Sequence, residues 1–220
     1  MPNRKVPLVT DEIYHVYNKS IADYKIFNSE EDYERMKDEM VFYAVQNPPC
    51  KFSYYKNFKD PSGHIRLLLN NASEKLIEII TYCIMPTHIH LILKELKEDG
   101  IRKFMTSILK SYSHYFNLKH NRRGPLWENR FQNVLVNTDE QFIHLTRYIH
   151  LNPVTAYIVN DPGEWKHSSY IEYIGVAEEY EKMCNFSQYL NMDASSYKKF
   201  VNDNIDYQRN LAKIKNLILE

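Results

Sequence analysis

Along the chain, apolar positions alternate with period two in some stretches and recur at three- and four-residue spacing in others, which separates strands from helices. The string Ile13-Tyr14-His15-Val16-Tyr17 is aromatic and β-branched and reads as a first strand ending near Asn18. Ser29 before Glu30-Glu31-Asp32 marks a helix start, and Tyr33, Met36, Met40, Tyr43 and Ala44 form its apolar stripe up to Pro48-Pro49. Residues 52–55 and 65–69 read as strands around a turn at Asp60-Pro61-Ser62-Gly63. Residues 77–84 and 88–94, joined by Met85-Pro86-Thr87, read as adjacent antiparallel strands.

From residue 100 to 120 there is no proline or internal glycine, and Ile101, Phe104, Met105, Ile108, Leu109, Tyr112, Tyr115 and Phe116 recur at helical spacing. A turn at Arg122-Arg123-Gly124-Pro125 precedes a strand at 131–136, and Thr138-Asp139-Glu140-Gln141 reads as the capped start of a helix. Pro153 predicts the end of that helix near Asn152, because a proline pushes the preceding residue out of the α region. Residues 165–173 and 195–219 read as helical, and no repeat is visible. This order predicts an α+β domain, an antiparallel sheet covered by helices, over residues 1–175, with a helical C-terminal extension over 176–220.

Composition changes the picture only by exclusion. With 44% hydrophobic and 25% charged residues, 5 Gly and 9 Pro, the chain is neither collagen-like nor of low complexity. Its most apolar stretch, 76–93, is broken by Glu78, Thr81, His88 and His90, short of the ~20 apolar residues a membrane span needs. No apolar run follows the basic N-terminus, so the expected location is the cytoplasm, with no membrane partner. Cys50, Cys83 and Cys184 are widely spaced and read as reduced packing residues. The 28 basic and 28 acidic residues cancel, but unevenly. Between 102 and 130 stand Arg102, Lys103, Lys110, Lys119, Arg122, Arg123 and Arg130 against Glu128 as the sole acid. Such a segment is either a phosphate-binding surface or a solvated helix face followed by a basic turn.

Two groups carry candidate chemistry. In His88-Ile89-His90 on a strand, both imidazoles emerge on one face, where two ligands for one metal can come from one rigid element. A satisfied structural histidine pair has the same pattern. No Asp or Glu sits in that strand or the preceding turn, and no H-E-x-x-H or C-x-x-C adds ligands, which argues against a hydrolytic zinc site. In Arg147-Tyr148-Ile149-His150-Leu151-Asn152-Pro153, Tyr148 and Asn152 are one helical turn apart on one face, with His144 a turn earlier. The plain alternative is one tyrosine among 18 and a helix-ending asparagine.

Together these strings resemble the REP-associated tyrosine transposases, a branch of the single-tyrosine HUH transposases. The segment Tyr82-Cys83-Ile84-Met85-Pro86-Thr87-His88-Ile89-His90-Leu91-Ile92-Leu93 resembles the HUH motif, although Thr87 stands where this branch usually has Asn. In family order, His15-Val16-Tyr17-Asn18 resembles the opening strand and Tyr115-Phe116-Asn117 the basic helix. Gly124-Pro125-Leu126-Trp127-Glu128-Asn129-Arg130-Phe131 resembles the Gly-x-Leu-Trp…Arg-Phe segment, residues 147–153 the nucleophile helix, and Trp165-Lys166-His167-Ser168-Ser169-Tyr170 the C-terminal signature. The resemblance covers residues 11–173; nothing beyond about 176 has a counterpart.

The resemblance implies a ferredoxin-like α+β core and a transposase that cleaves and rejoins single-stranded or hairpin DNA through a covalent 5′-phosphotyrosine. It implies Tyr148 as nucleophile, with Tyr112 or Tyr115 as competitors, and His88, His90 and Asn152 as ligands of Mg²⁺ or Mn²⁺. His144 and His150 are candidate bases for the phenol. The basic residues of 102–130 would hold DNA, and Trp127 is either a stacking surface or a core residue. Monomer and homodimer are both compatible with this pattern. The alternatives are a domesticated relative that binds hairpin or single-stranded DNA without cutting it, and a metal-dependent hydrolase that uses water.

Overall fold

The computed structural model describes residues 7–48, 50–57, 69 and 74–219. Strand β1 (Ile13–Lys19) is followed by helix α1 (Glu30–Ala44), helix α2 (Phe52–Asn57), strands β2 (Ile77–Ile84) and β3 (His88–Glu95), helix α3 (Gly100–Lys119), strand β4 (Gln132–Leu135) and helix α4 (Asp139–Thr155). The sheet order is β2-β3-β1-β4, with every neighbouring pair antiparallel. This is the α+β, ferredoxin-like arrangement of a β-α-β-β-α-β chain, and the sheet is covered on both faces.

Period-two alternation divides the two faces. Tyr14 and Val16 of β1 and Ile89, Leu91 and Leu93 of β3 join one core cluster with Met36 and Met40 of α1 and Phe104, Ile108 and Tyr112 of α3. Ile92 of β3 instead packs with Phe142 and Ile149 of α4 on the other face. His88 and His90 share the parity of Ile92 and therefore lie on the α4 side. Gly100 opens α3 where the chain passes so close to Leu76 that a Cβ would drive into the Leu76 carbonyl.

Four sequence expectations are corrected. Residues 52–57 form a helix, α2, because Phe52 and Tyr55, three apart, both pack on Phe42 of α1 with ring centroids at 5.1 and 5.3 Å. The turn expected at 60–63 lies outside the described residues, and so does the strand at 65–69 except Leu69, which is helical. Helix α4 runs through Pro153 to Thr155. The Ile149 carbonyl, which loses its backbone donor at Pro153, is approached by Asn152 Nδ2 at 3.5 Å, so the side chain replaces part of the missing bond.

Residues 165–169 are not helical; they run along the outer edge of β2. Ile84 N donates to His167 O at 2.9 Å, Ser169 N to Tyr82 O at 3.0 Å, and Tyr82 N to Ser169 Oγ at 3.0 Å. Unpaired edge groups attract such a segment more strongly than helix propensity holds it. Only Tyr170–Tyr173 (α5) is helical there. The expected C-terminal helix is split into α6 (Ala194–Asn202) and α7 (Ile205–Leu219) by a turn at Asp203-Asn204. Tyr197 and Val201 of α6 share an apolar cluster with Leu151 and Val154 of α4 and Tyr170 and Tyr173 of α5, so α6 packs on the outer side of α4. Among the described residues, no helix is long and apolar enough to cross a membrane.

Candidate active site

The paired strands β1 and β3 set Tyr17 opposite His90 and Lys19 opposite His88, so a second set of side chains joins the histidines on the α4 face. His15 Nε2 lies 3.0 Å from His90 Nδ1, and the two rings stack at 5.2 Å. Thr87 Oγ1 lies 2.9 Å from His88 Nδ1. With a partner at each Nδ1, both rings are oriented, and Nε2 is the atom of His88 and of His90 left for a ligand. Burial lowers the pKa of His15 and of His88 to about 4 and that of His90 well below the usual imidazole value. All three are therefore neutral at pH 7, as metal-ligating imidazoles must be. On these grounds the pair fits a divalent ion.

Tyr148 projects from α4 to the same place. Its ring stands edge-on to His90 at 5.9 Å and 81°, and the residue is 40% exposed. Burial, reinforced by Tyr17, raises its phenol pKa. Asn152, one turn on, donates from Nδ2 to the Tyr148 carbonyl at 3.2 Å as well as toward Ile149, so its amide nitrogen is turned back onto α4. His150 is fully buried, with Nδ1 at 2.7 Å from Tyr197 Oη and Nε2 at 2.8 Å from Ser169 Oγ. Both nitrogens are occupied, which removes it as a base for Tyr148. His144 faces Glu140 at 4.0 Å and Phe200, along the outer side of the helix.

The histidines open into a cleft of roughly 710 Å³ lined also by Tyr17, Lys19, Asp23, Glu128 and Arg130. Asp23 and Glu128 are carboxylates that the strand and turn sequence did not offer; Lys19 pairs with them at 3.3 and 3.7 Å. An adjoining apolar cleft is rimmed by Arg102, Lys110 and Arg130, so Arg130 stands between the two. Arg102 is also held by Asp99 at 2.6 Å, and exposed Lys103 lies beside it on α3.

The other basic residues are placed differently. Lys119 contacts Asp32 Oδ1 at 2.7 Å, Tyr115 Oη at 2.9 Å and Glu31 at 3.1 Å, tying α3 to the start of α1. Arg122 donates to Asn117 Oδ1 and to the Pro125 carbonyl, which orders the turn it sits in. Arg123 lies with it on a shallow surface at the far end of α3. Trp127 donates from its indole to the Leu109 carbonyl at 3.1 Å while bordering the apolar cleft, so it is part core and part surface.

The competing tyrosines lie on the wrong side of the sheet. Tyr112 is fully buried in the α1–α3 core with its hydroxyl on the Ile26 carbonyl at 2.6 Å, and Tyr115 donates to Asp32 at 2.9 Å. Sequence reasoning missed His15 as the support of His90. Its signal was parity alone: His15 and Tyr17 share a face of β1, and a register would have put that face beside the histidine pair.

Residues 58–152 match the family described as "Transposase IS200 like". Over 103 residues, 42% of the chain, it is 27% identical to a Haemophilus influenzae protein named as a REP-associated tyrosine transposase, of whose length the match spans 58%. Its fold is similar to the solved structure of a REP-associated tyrosine transposase bound to a REP hairpin, with a TM-score of 0.51, 14% identity, and 85% of this chain and 94% of that one covered. The chain thus resembles the REP-associated tyrosine transposases of the IS200-like family, in sequence through its middle and in fold along most of its length.

Proposed function

We propose that this protein is a metal-dependent transposase that cleaves and rejoins single-stranded or hairpin DNA with Tyr148 as nucleophile. The observation that carries the reading is the meeting, on one sheet face, of an accessible tyrosine and two imidazoles whose Nε2 atoms remain for a ligand. His88 and His90, with Asn152 as third ligand through its amide oxygen, would hold Mg²⁺ or Mn²⁺. When bound, the ion supplies positive charge beside the phosphate as charge develops there.

Tyr148 Oη attacks the scissile phosphorus. A tyrosyl O–P bond forms as the bond from phosphorus to the 3′ oxygen breaks, and the phenol proton passes through solvent to the leaving oxygen. The products are a 5′-phosphotyrosine and a free 3′-hydroxyl, and the reverse reaction with another 3′-hydroxyl rejoins the strand. A phenol held protonated by burial is a weak nucleophile, so the reaction depends on nearby positive charge. Arg102, Lys110 and Arg130 hold the DNA backbone along the two clefts, with Lys103 beside Arg102 on α3 and Arg122 and Arg123 at the far end. The hairpin named with the structural relative is the substrate form to try first.

The test is covalent trapping: wild type, Tyr148→Phe and Tyr115→Phe are incubated with Mg²⁺ or Mn²⁺ and labelled single-stranded DNA carrying hairpins from the flanks of the protein's own gene. The expected result is a denaturation-resistant adduct lost only in Tyr148→Phe. Binding without an adduct in either metal would favour a non-cutting hairpin binder. Cleavage that persists without an adduct would favour a water-using hydrolase.

A further inference from the structure

On the far side of the sheet from the histidine cleft, where α1 meets the 165–169 segment, Glu30, Glu34 and His167 each offer a ligand atom, all within 4.8 Å of one another. Glu30 and Glu34 lie one turn apart on α1, and His167 crosses to them from the edge of β2. We propose that these three residues form a divalent-cation site of the zinc class that fastens the 165–169 segment to α1.

The histidine carries the argument. His167 is 7% exposed. Its Nε2 faces Glu30 Oε2 at 3.5 Å. That is too long for an N–H···O bond but close to the ~3.4 Å separating two ligands that sit ~2.0–2.1 Å from one tetrahedral ion. The ring is also pre-oriented: it stacks on Tyr33 at 3.7 Å and 8° and meets Trp165 edge-on at 4.9 Å. One imidazole with two carboxylates suits Zn²⁺ or Co²⁺ better than Mg²⁺, which takes oxygen ligands and keeps its waters.

Lys37 is the competitor. Its ammonium lies 2.7 Å from Glu34 Oε1 and 3.0 Å from the Lys166 carbonyl, so it neutralises part of the site and must yield or share Glu34 when the ion enters. The geometry therefore makes two opposed claims: removing a carboxylate abolishes the site, and removing Lys37 strengthens it.

Metal-stripped protein is titrated with Zn²⁺ by calorimetry and with Co²⁺ by visible absorption. The set is wild type, Glu30→Gln with Glu34→Gln, His88→Ala with His90→Ala, and Lys37→Met, each checked for folding by circular dichroism. The expected result is that the His88/His90 variant still binds one equivalent with a Co²⁺ ligand-field band. The double glutamine variant should lose that equivalent, and Lys37→Met should bind it several-fold more tightly. A His88/His90 variant that binds no metal, or a glutamine variant with wild-type stoichiometry, overturns the proposal. Glu30 is exposed and Glu34 half-exposed on α1, and the circular dichroism spectrum of the glutamine variant separates lost binding from lost folding.

Discussion

His15 Nε2 lies 3.0 Å from His90 Nδ1, so the more buried of the two candidate metal ligands is aimed by an imidazole from the neighbouring strand. His15→Ala should leave the fold intact and lower Mn²⁺ affinity about 10–100-fold, the usual cost of losing an outer-shell partner. Titration with Mn²⁺ followed by electron paramagnetic resonance checks it; unchanged affinity would mean His90 needs no such support.

Tyr115 and Tyr148 should separate stability from chemistry. Tyr115 Oη bonds Asp32, so Tyr115→Phe is expected to cost about 1 kcal/mol in urea unfolding while the DNA adduct survives. Tyr148→Phe should do the reverse, with little change in unfolding and no adduct.

The same division applies to two basic residues. Arg130, between the two clefts, should act through DNA: Arg130→Ala is expected to reduce the slope of log affinity against log salt by about 1. Lys119 is committed to Asp32 and Tyr115, so Lys119→Ala should lower stability by about 1–2 kcal/mol with little change in that slope. Filter binding at several salt concentrations, beside urea melts, distinguishes them.

Buried titratable groups give stability a pH dependence with two opposed signs. Burial holds His150 at about 3, so an unfolded chain takes up a proton near pH 6.5 that the folded chain refuses. Its contribution is complete above about pH 6.5 and declines as pH falls toward 3. Glu172 is raised to about 7, by burial first and against its bonds from Cys184 and Met183; its contribution is complete below about pH 4.5 and is lost as pH rises through 7. Glu172→Gln should therefore gain stability relative to wild type between pH 5 and pH 8, measured by urea midpoints at both. A constant difference would count against the raised carboxyl.

Much of this was legible in sequence because it rests on local period. The stripes of α1 and α3, the alternation in β1 and β3, and the parity that puts His88 with His90 need no knowledge of distant contacts. The errors came where a distant partner decided the outcome. Phe52 and Tyr55 fit strand or helix until Phe42 is placed beneath them, and residues 165–169 are held extended by the β2 edge. Lys119 read as one more cation of a basic stretch because nothing local reveals Asp32, 87 residues earlier.

The outer edge of β2 is consumed by the chain itself. Asn185 N bonds the Ile79 carbonyl, Tyr173 Oη that of Ile80, Ser169 N that of Tyr82 and the Trp165 indole that of Ile84, while His167 O takes the Ile84 N–H. A chain ending before Trp165 would expose this row of donors and acceptors along a strand in which only Glu78 and Thr81 are not apolar or aromatic, a template for strand addition by neighbouring copies. Residues 165–185 therefore act as a guard against aggregation, and a shortened protein, even one retaining every residue of the histidine cleft, should precipitate before its chemistry can be assayed.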